Sequence, residues 1–356
     1  MVLSALLIFY AVANSHPTVV SEDLTLIARL EASIERQGEE LFSYKELRIR
    51  VISTKDGDTV KLIHLKVPSE KYHLYKIHEH PTVTFTFAPH HPNELIYADT
   101  AGDIYRVDIA KDSTPTFLIR SPGIRQLVRS PDGRYLAIVR RLLPADRTYE
   151  VAVLHYPNLK HLRTFRTRDD TDAPPPCVFS MDCAFFAYAE NDVIYIWKLH
   201  TDLTWVLDSS TDKIDGDFFS LAFAPDNRVI AGYDRDGEVR FWDINNRRVV
   251  GRMQLCSVPG YFVKYVTFGG RQLLLLDSGY DLYCFDAKTY RQLWKINRWW
   301  PDSIEIDKAE SMSDFYIASM SSKGLIVTEN FKKKQVTLQE FDLLTGRPTT
   351  TPKTLK

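Results

Sequence analysis

The sequence has few of the residues that carry covalent or metal-based chemistry. Its four cysteines are Cys177, Cys183, Cys256 and Cys284, with no C-x-x-C spacing, which excludes a zinc knuckle and a thioredoxin-type motif. Glycine is sparse at 15 residues, and G-x-S-x-G, H-E-x-x-H, G-x-G-x-x-G and the Walker loop are all absent. We therefore expect no enzyme, and no catalytic, metal or cofactor residue is predicted.

The chain also lacks an excess of either charge. Lys and Arg total 45 against 46 Asp and Glu, so the net charge is -1. A protein that binds a polyanion usually carries a positive excess that releases counterions, and the run Lys332–Lys334 is too short to supply one. We therefore expect other proteins as partners and no direct binding of nucleic acid.

The N-terminus carries no charged side chain from Met1 to Val20. Residues 1–13 could be a secretory signal peptide, because an apolar stretch precedes the small residues Ala11 and Ala13. The same stretch could instead be a buried strand, and it is too short for a transmembrane span. We expect an intracellular protein of the cytoplasm or nucleus, with the secretory pathway as the alternative.

Residues 218–255 contain the pattern that organises the chain. Short apolar runs around Leu221, Val229, Phe241 and Val249 alternate with turns rich in Asp, Asn and Gly. This pattern predicts four antiparallel strands, of which the third ends in Trp242-Asp243.

The same pattern recurs along the chain. Third strands are predicted to end at Ile63-His64, Val107-Asp108, Leu154-His155, Trp197-Lys198, Trp242-Asp243, Phe285-Asp286 and Phe341-Asp342. The first turn of a repeat recurs at Ala88-Pro89, Ser130 to Gly133, Ser180 to Asp182, Ala224 to Asp226 and Phe268 to Gly270. Both landmarks follow nearly the same period, which predicts seven repeats.

The segment around Trp242-Asp243 resembles a WD40 repeat, and the resemblance extends over about residues 45–347. It implies an all-β fold, a seven-bladed β-propeller whose blades each have four antiparallel strands. Only one repeat has a true Trp-Asp pair, and none has Gly-His before its first strand. In WD40 blades these residues form a hydrogen-bond relay, so we expect most blades here to depend on apolar packing.

We divide the chain into an N-terminal segment (1–42), the propeller (43–347) and a flexible C-terminal tail (348–356). The first blade lacks an obvious first strand and the last blade lacks a good fourth strand. One or both of the apolar runs Leu6–Val12 and Leu24–Leu30 are predicted to complete these blades and close the ring. A short helix over Asp23–Glu40 is the alternative, since Leu24, Ile27, Leu30 and Ile34 also fit a 3.6-residue period.

The resemblance implies a protein–protein interaction scaffold in a multiprotein complex. A secreted or luminal binding protein is the alternative, and a propeller enzyme is a weaker one. In such rings the second-to-third turns and the fourth-to-first connections share one rim. Candidate partner-binding residues there are Arg140, Arg141, Tyr233, Arg235, Tyr280, Arg298, Trp299 and Trp300. His90 and His91 lie at a first turn, toward the other rim, and are expected to be exposed rather than metal ligands.

Overall fold

The computed structural model of the protein consists of strands joined by turns. It describes residues 18–37, 41–70, 72–73, 82–111, 114–143, 146–168, 173–208, 217–255, 262–268, 270–278, 281–297, 311–317, 322–330 and 335–355. No helix occurs within these ranges. Among the described residues there is thus no helical segment of the length and hydrophobicity needed to cross a membrane.

The strands form seven sheets in chain order, and each sheet is one blade. Blade 1 has β1 (Thr18–Val20), β2 (Leu26–Gln37), β3 (Leu41–Ser53) and β4 (Thr59–His64), with β5 (Tyr72–His73) added beside β3. Blade 2 has β6 (Thr84–Ala88), β7 (His91–Ala98), β8 (Asp103–Asp108) and β9 (Thr116–Arg120). Blade 3 has β10 (Ile124–Arg129), β11 (Tyr135–Leu143), β12 (Asp146–His155) and β13 (Lys160–Arg168).

Blades 4 to 7 repeat this antiparallel order. Blade 4 has β14 (Cys177–Phe179), β15 (Phe185–Glu190), β16 (Val193–Lys198) and β17 (Thr204–Asp208). Blade 5 has β18 (Phe218–Phe223), β19 (Val229–Asp234), β20 (Glu238–Asp243) and β21 (Arg248–Gln254). Blade 6 has β22 (Phe262–Phe268), β23 (Arg271–Asp277), β24 (Asp281–Asp286) and β25 (Gln292–Asn297). Blade 7 has β26 (Ser311–Ile317), β27 (Lys323–Asn330), β28 (Gln335–Asp342) and β29 (Lys353–Leu355).

Each blade is apolar on both faces because alternate residues of a strand point to opposite sides of the sheet. In β15, Phe186 packs toward blade 3, whereas its neighbour Ala187 packs toward blade 5. An apolar cluster of this kind lies between every pair of adjacent blades, including blades 7 and 1. The seven blades therefore form a closed ring, as the repeat predicted.

Blade 1 differs from the prediction in the order of its strands. Ile63-His64 ends the fourth strand rather than the third, because Leu41–Ser53 is the third strand. The other six predicted third-strand ends all lie at the ends of third strands.

The helix alternative at Asp23–Glu40 is wrong, since most of that segment is the strand Leu26–Gln37. Its side chains alternate between two interfaces. Ala28 and Leu30 pack toward blade 2, and Ile27 packs toward blade 7. A helix would present its apolar stripe to one side only, so burial on both faces selects the strand.

The predicted domain boundaries also change at both ends. The apolar run Leu24–Leu30 contributes to β2 and so helps to complete blade 1, whereas Leu6–Val12 lies outside the described residues. The predicted flexible tail at 348–356 instead supplies the last strand, because β29 pairs with β28. In the described part of the chain, the ring closes through side-chain packing between blades 7 and 1, without an exchanged strand.

Candidate partner-binding rim

The antiparallel order of each blade gives the ring two different rims. We call the rim with the second-to-third turns and the fourth-to-first connections the upper rim. The rim with the first-to-second and third-to-fourth turns is the lower rim. Four of the predicted partner-binding residues lie in the described part of the chain, and all four are toward the upper rim: Arg140, Arg141, Tyr233 and Arg235. His90 and His91 lie on the lower rim, where both are exposed as expected.

Two long hairpins extend the upper rim. In blade 1 the pairing of β3 with β4 ends toward the upper rim at Arg48↔His64, whereas the β2–β3 ladder continues beyond it to Gln37↔Leu41. The six residues of β2 from 32 to 37 correspond to about 20 Å of extended chain. In blade 3 the β11–β12 ladder continues past Arg140 to Leu143↔Asp146. The segment after Arg141 therefore continues the two strands of the hairpin.

Arg140 lies in a row of three charged residues across the blade 3 sheet. It pairs in register with Glu150 on β12, and Glu150 pairs with Arg166 on β13. Nη2 of Arg140 is 2.6 Å from Oε1 of Glu150, and Nε of Arg166 is 4.0 Å from Oε2. Two guanidinium groups therefore share one carboxylate, and Arg166 is the more exposed of the two, with 75% of its side chain accessible.

Arg141 and Tyr233 cannot form an exposed partner surface. Arg141 is buried, and its main-chain nitrogen donates a hydrogen bond to the Gly123 oxygen at 2.8 Å. Tyr233 is fully buried in the apolar cluster between blades 5 and 6. Each residue lies near the end of a second strand, at a position that the surrounding structure covers.

Arg235 is exposed, unlike Tyr233 of the same blade. Its guanidinium lies 3.9 Å from the Asp217 carboxylate, and 63% of the side chain is accessible. Tyr280, Arg298, Trp299 and Trp300 lie outside the described residues, so their part in the rim stays a prediction.

Solved structures share this arrangement. One chain in the crystal structure of a mitotic checkpoint complex superposes with a TM-score of 0.53 at 12% identity, over 72% of this chain and 76% of that chain. The β-propeller domain of Cps50 (Swd1) from Myceliophteria thermophila gives a TM-score of 0.55 at 14% identity, over 76% and 85% respectively. The chain is a seven-bladed β-propeller. No family model matches it, and no curated protein does, so the likeness is one of fold.

In the described part of the propeller, the single Trp-Asp pair does not form the hydrogen-bond relay that the resemblance implies for such a pair. The indole nitrogen of Trp242 is buried and has no hydrogen-bond partner among the described residues. The ring packs edge-to-face on Phe218 at a centroid distance of 5.5 Å and is fully buried. Apolar contact thus takes the place of the polar relay, as the absence of Gly-His predicts.

A Ser-x-Asp turn on the lower rim is a stabilising motif that the sequence analysis recognised only in part. In Ser130-Pro131-Asp132, the Ser hydroxyl donates to the Asp carboxylate at 2.7 Å and accepts the Tyr135 amide at 2.9 Å. Blade 4 has the same bonds at Ser180 and Asp182. Blade 1 has them at Ser21 and Asp23, so the spacing alone could have located the end of β1.

These hydrogen bonds change the acidity of the aspartates. Burial by itself would raise the pKa of Asp132, but bonds from the Ser130 hydroxyl and the Arg134 main chain and side chain outweigh it and hold the pKa at about 2. Hydrogen bonds likewise lower the pKa of Asp23 and Asp182 against the effect of burial. The turns of the lower rim are therefore stabilised by ionised carboxylates.

Proposed function

We propose that this WD40-like propeller is a non-catalytic scaffold or adaptor subunit that binds partner proteins through its upper rim. The observation that carries the proposal is the row Arg140–Glu150–Arg166 on the extended part of blade 3. Its two guanidinium groups outnumber its single carboxylate, and Arg166 is exposed. Exposed arginine is enriched in protein interfaces because it combines directional hydrogen bonds with stacking.

The long hairpins of blades 1 and 3 support the same proposal. They flank the tight second-to-third turn of blade 2, Asp99–Asp103, which Asp99 caps by accepting the Ala101 and Asp103 amides at 2.9 Å. Two extended hairpins on either side of a short turn form a concave surface. A rigid ring can hold such a surface in place while a partner binds, which is how propellers serve as scaffolds.

The comparison structures add support by analogy. One of them belongs to a chain within a mitotic checkpoint complex, that is, a protein assembly. Within the described residues, no group of three or more His, Cys, Asp or Glu side chains is placed to hold a metal ion. Together with the absence of catalytic motifs from the sequence, this leaves protein binding as the best-supported function.

Affinity purification of the tagged full chain followed by quantitative mass spectrometry tests the proposal. We expect the wild type to retain specific partners and Arg166→Glu to lose at least one of them. Arg248→Glu is a matched control, because Arg248 is also exposed but begins β21 near the lower rim. Equal recovery of every partner by both variants would show that Arg166 of blade 3 is not part of the binding surface.

We also propose an intracellular location, with secretion as the alternative. The three cysteines at described positions, Cys177, Cys183 and Cys284, are free thiols. Burial raises the pKa of Cys183 to about 11 and that of Cys284 to about 12, which keeps these thiols protonated and unreactive. Sequencing the N-terminus of the mature protein separates the two locations, since removal of residues 1–13 would indicate secretion.

A further inference from the structure

A polar cleft lies on the lower rim of blade 2, away from the proposed partner-binding rim. Its volume is about 560 Å³, and it is bounded by the first-to-second turn at His90 and His91 and by the third-to-fourth turn at Lys111 and Thr114. The strand residues Arg106 and Thr116 form its floor, where they pair directly across β8 and β9. Its size matches a small ligand or a short peptide segment rather than a single ion.

The two acidic residues that line the described part of the cleft, Glu94 and Asp108, are already paired with cations. Oδ2 of Asp108 is 3.0 Å from Nζ of Lys111, and Oδ1 accepts the Ala110 amide at 3.1 Å. Oε1 of Glu94 accepts the Tyr156 hydroxyl at 2.9 Å and lies 3.6 Å from Nη1 of Arg129. Neither carboxylate is therefore free to neutralise the positive charge of Arg106.

The guanidinium group of Arg106 has no hydrogen bond or ion pair to any residue that the structure describes. It is half-buried and lies on the same sheet face as Thr116, whose hydroxyl is exposed. A guanidinium offers five donors in a planar fork that fits the oxygens of a carboxylate or phosphate. The cleft thus contains an unused cation beside a hydroxyl donor.

A second cation lies behind the cleft wall. Only 3% of the Arg129 side chain is accessible, and its Nε and Nη1 atoms are buried without hydrogen-bond partners. Among the described residues in and behind the cleft, Arg106, Lys111 and Arg129 carry three positive charges, against the two negative charges of Glu94 and Asp108. This surplus of one positive charge favours an anionic ligand.

We propose that this cleft binds a phosphomonoester group, carried by a phosphorylated serine or threonine of a partner protein. The phosphate oxygens accept hydrogen bonds from Arg106 and Thr116, and the peptide on either side of the phosphate fills the remaining volume. The cleft is lined without Phe, Tyr or Trp, so it offers no stacking surface of the kind that a nucleotide base uses. The site is independent of the upper rim and adds a second binding function.

The test uses the intact protein and a peptide mixture with phosphoserine at a fixed central position and random flanking residues. Immobilised wild-type protein should retain this mixture and release it when inorganic phosphate is added in excess. The unphosphorylated mixture should not be retained. Arg106→Gln should weaken binding by about tenfold or more, as expected for loss of a charge-assisted hydrogen bond, and Thr116→Ala should weaken it less.

Arg120→Gln is the matched control, because Arg120 is an exposed arginine at the other end of the same outer strand, 3.6 Å from Asp103. It should bind the phosphopeptide mixture like the wild type. The proposal is overturned if the phosphorylated mixture is not retained, or if a correctly folded Arg106→Gln binds it normally. If inorganic phosphate binds as tightly as the peptides, the assignment to a partner protein is wrong. Neither result affects the upper-rim proposal, which the Arg166→Glu purification tests separately.

Discussion

Arg240 and Asp234 form an ion pair in the interior of blade 5, with 2.8 Å between Nη2 of Arg240 and Oδ2 of Asp234. Only 1% of the Arg240 side chain and none of the Asp234 side chain is accessible. Asp234 also accepts the amides of Asp236 and Glu238, at 3.0 and 2.9 Å. The pair therefore fixes the second-to-third turn of the blade that carries the Trp-Asp motif.

Replacing Arg240 by methionine should destabilise the protein by about 3–5 kcal/mol, because the Asp234 carboxylate would stay buried without its cation. Chemical denaturation of the purified variant measures this cost. The double variant Asp234→Asn/Arg240→Met should lose less stability than the sum of the two single variants. Strict additivity would show that the two side chains do not interact.

Trp242→Ala should cost about 3–5 kcal/mol, because it leaves a cavity against Phe218 in a fully buried site. Trp242→Phe should cost clearly less, since it removes an indole nitrogen that has no hydrogen-bond partner in the described structure. Thermal denaturation of both variants gives the comparison. A phenylalanine variant as unstable as the alanine variant would mean that the indole nitrogen makes a stabilising bond in solution.

Acid should weaken the lower-rim turns. The pKa of Asp132 is about 2 in the folded protein, whereas an aspartate in an unfolded chain has a pKa of about 3.9. The stabilisation by this carboxylate is therefore complete above pH 4 and is lost as the pH falls toward 2. We expect Asp132→Asn to lower the melting temperature at pH 7, and the gap to the wild type to narrow by pH 2.5.

Asp202→Asn is the control for this pH dependence, because Asp202 is an exposed carboxylate in a third-to-fourth turn of the same rim. Its melting temperature should follow that of the wild type at every pH. A gap for Asp132→Asn that is constant from pH 7 to pH 2.5 would contradict the assigned role of the ionised carboxylate.

The closure between blades 7 and 1 should depend on the three-residue strand β29. It pairs with β28, and the Lys353 ammonium donates to the Thr54 oxygen of blade 1 at 3.4 Å. Truncation after Pro352 should lower the melting temperature and promote aggregation, because β28 becomes an exposed edge. Truncation after Leu355 retains the strand and should behave like the wild type. Identical melting of the two truncations would show that β29 contributes nothing to closure.

The two adjacent tryptophans of the predicted upper rim allow a direct test of the partner site. Trp299→Ala or Trp300→Ala, whichever ring is exposed, should weaken the main partner about 30-fold, which corresponds to about 2 kcal/mol. Titration of each variant with the purified partner measures this change, and melting temperatures provide the control. Normal binding by both variants would exclude the loop, and a sharp drop in melting temperature would identify a packing residue.

Much of the fold could be predicted from the sequence because its signals are local. Turn residues such as Asp226 and Gly237 and the alternating apolar runs between them define strands and their spacing without reference to the rest of the chain. The recurrence of this pattern then implies blades, since a sheet that is apolar on both faces must pack between two others. The prediction placed the third strand of blade 1 one strand too late, because it did not use the Ser21-x-Asp23 turn, which lies between the first and second strands.

The burial of each side chain depends on the tertiary structure, because the sequence does not show what packs against either face of a strand. The sequence of Leu24–Leu30 fits a helix and a strand equally well. Most of this segment is a strand because its side chains are buried against blade 7 on one face and blade 2 on the other. Tyr233 and Arg235 are two positions apart, yet a neighbouring blade covers the first while solvent reaches the second. Sequence periodicity determines the spacing of side chains along a strand. Exposure depends on the neighbouring blade, whose position follows from closing the whole ring.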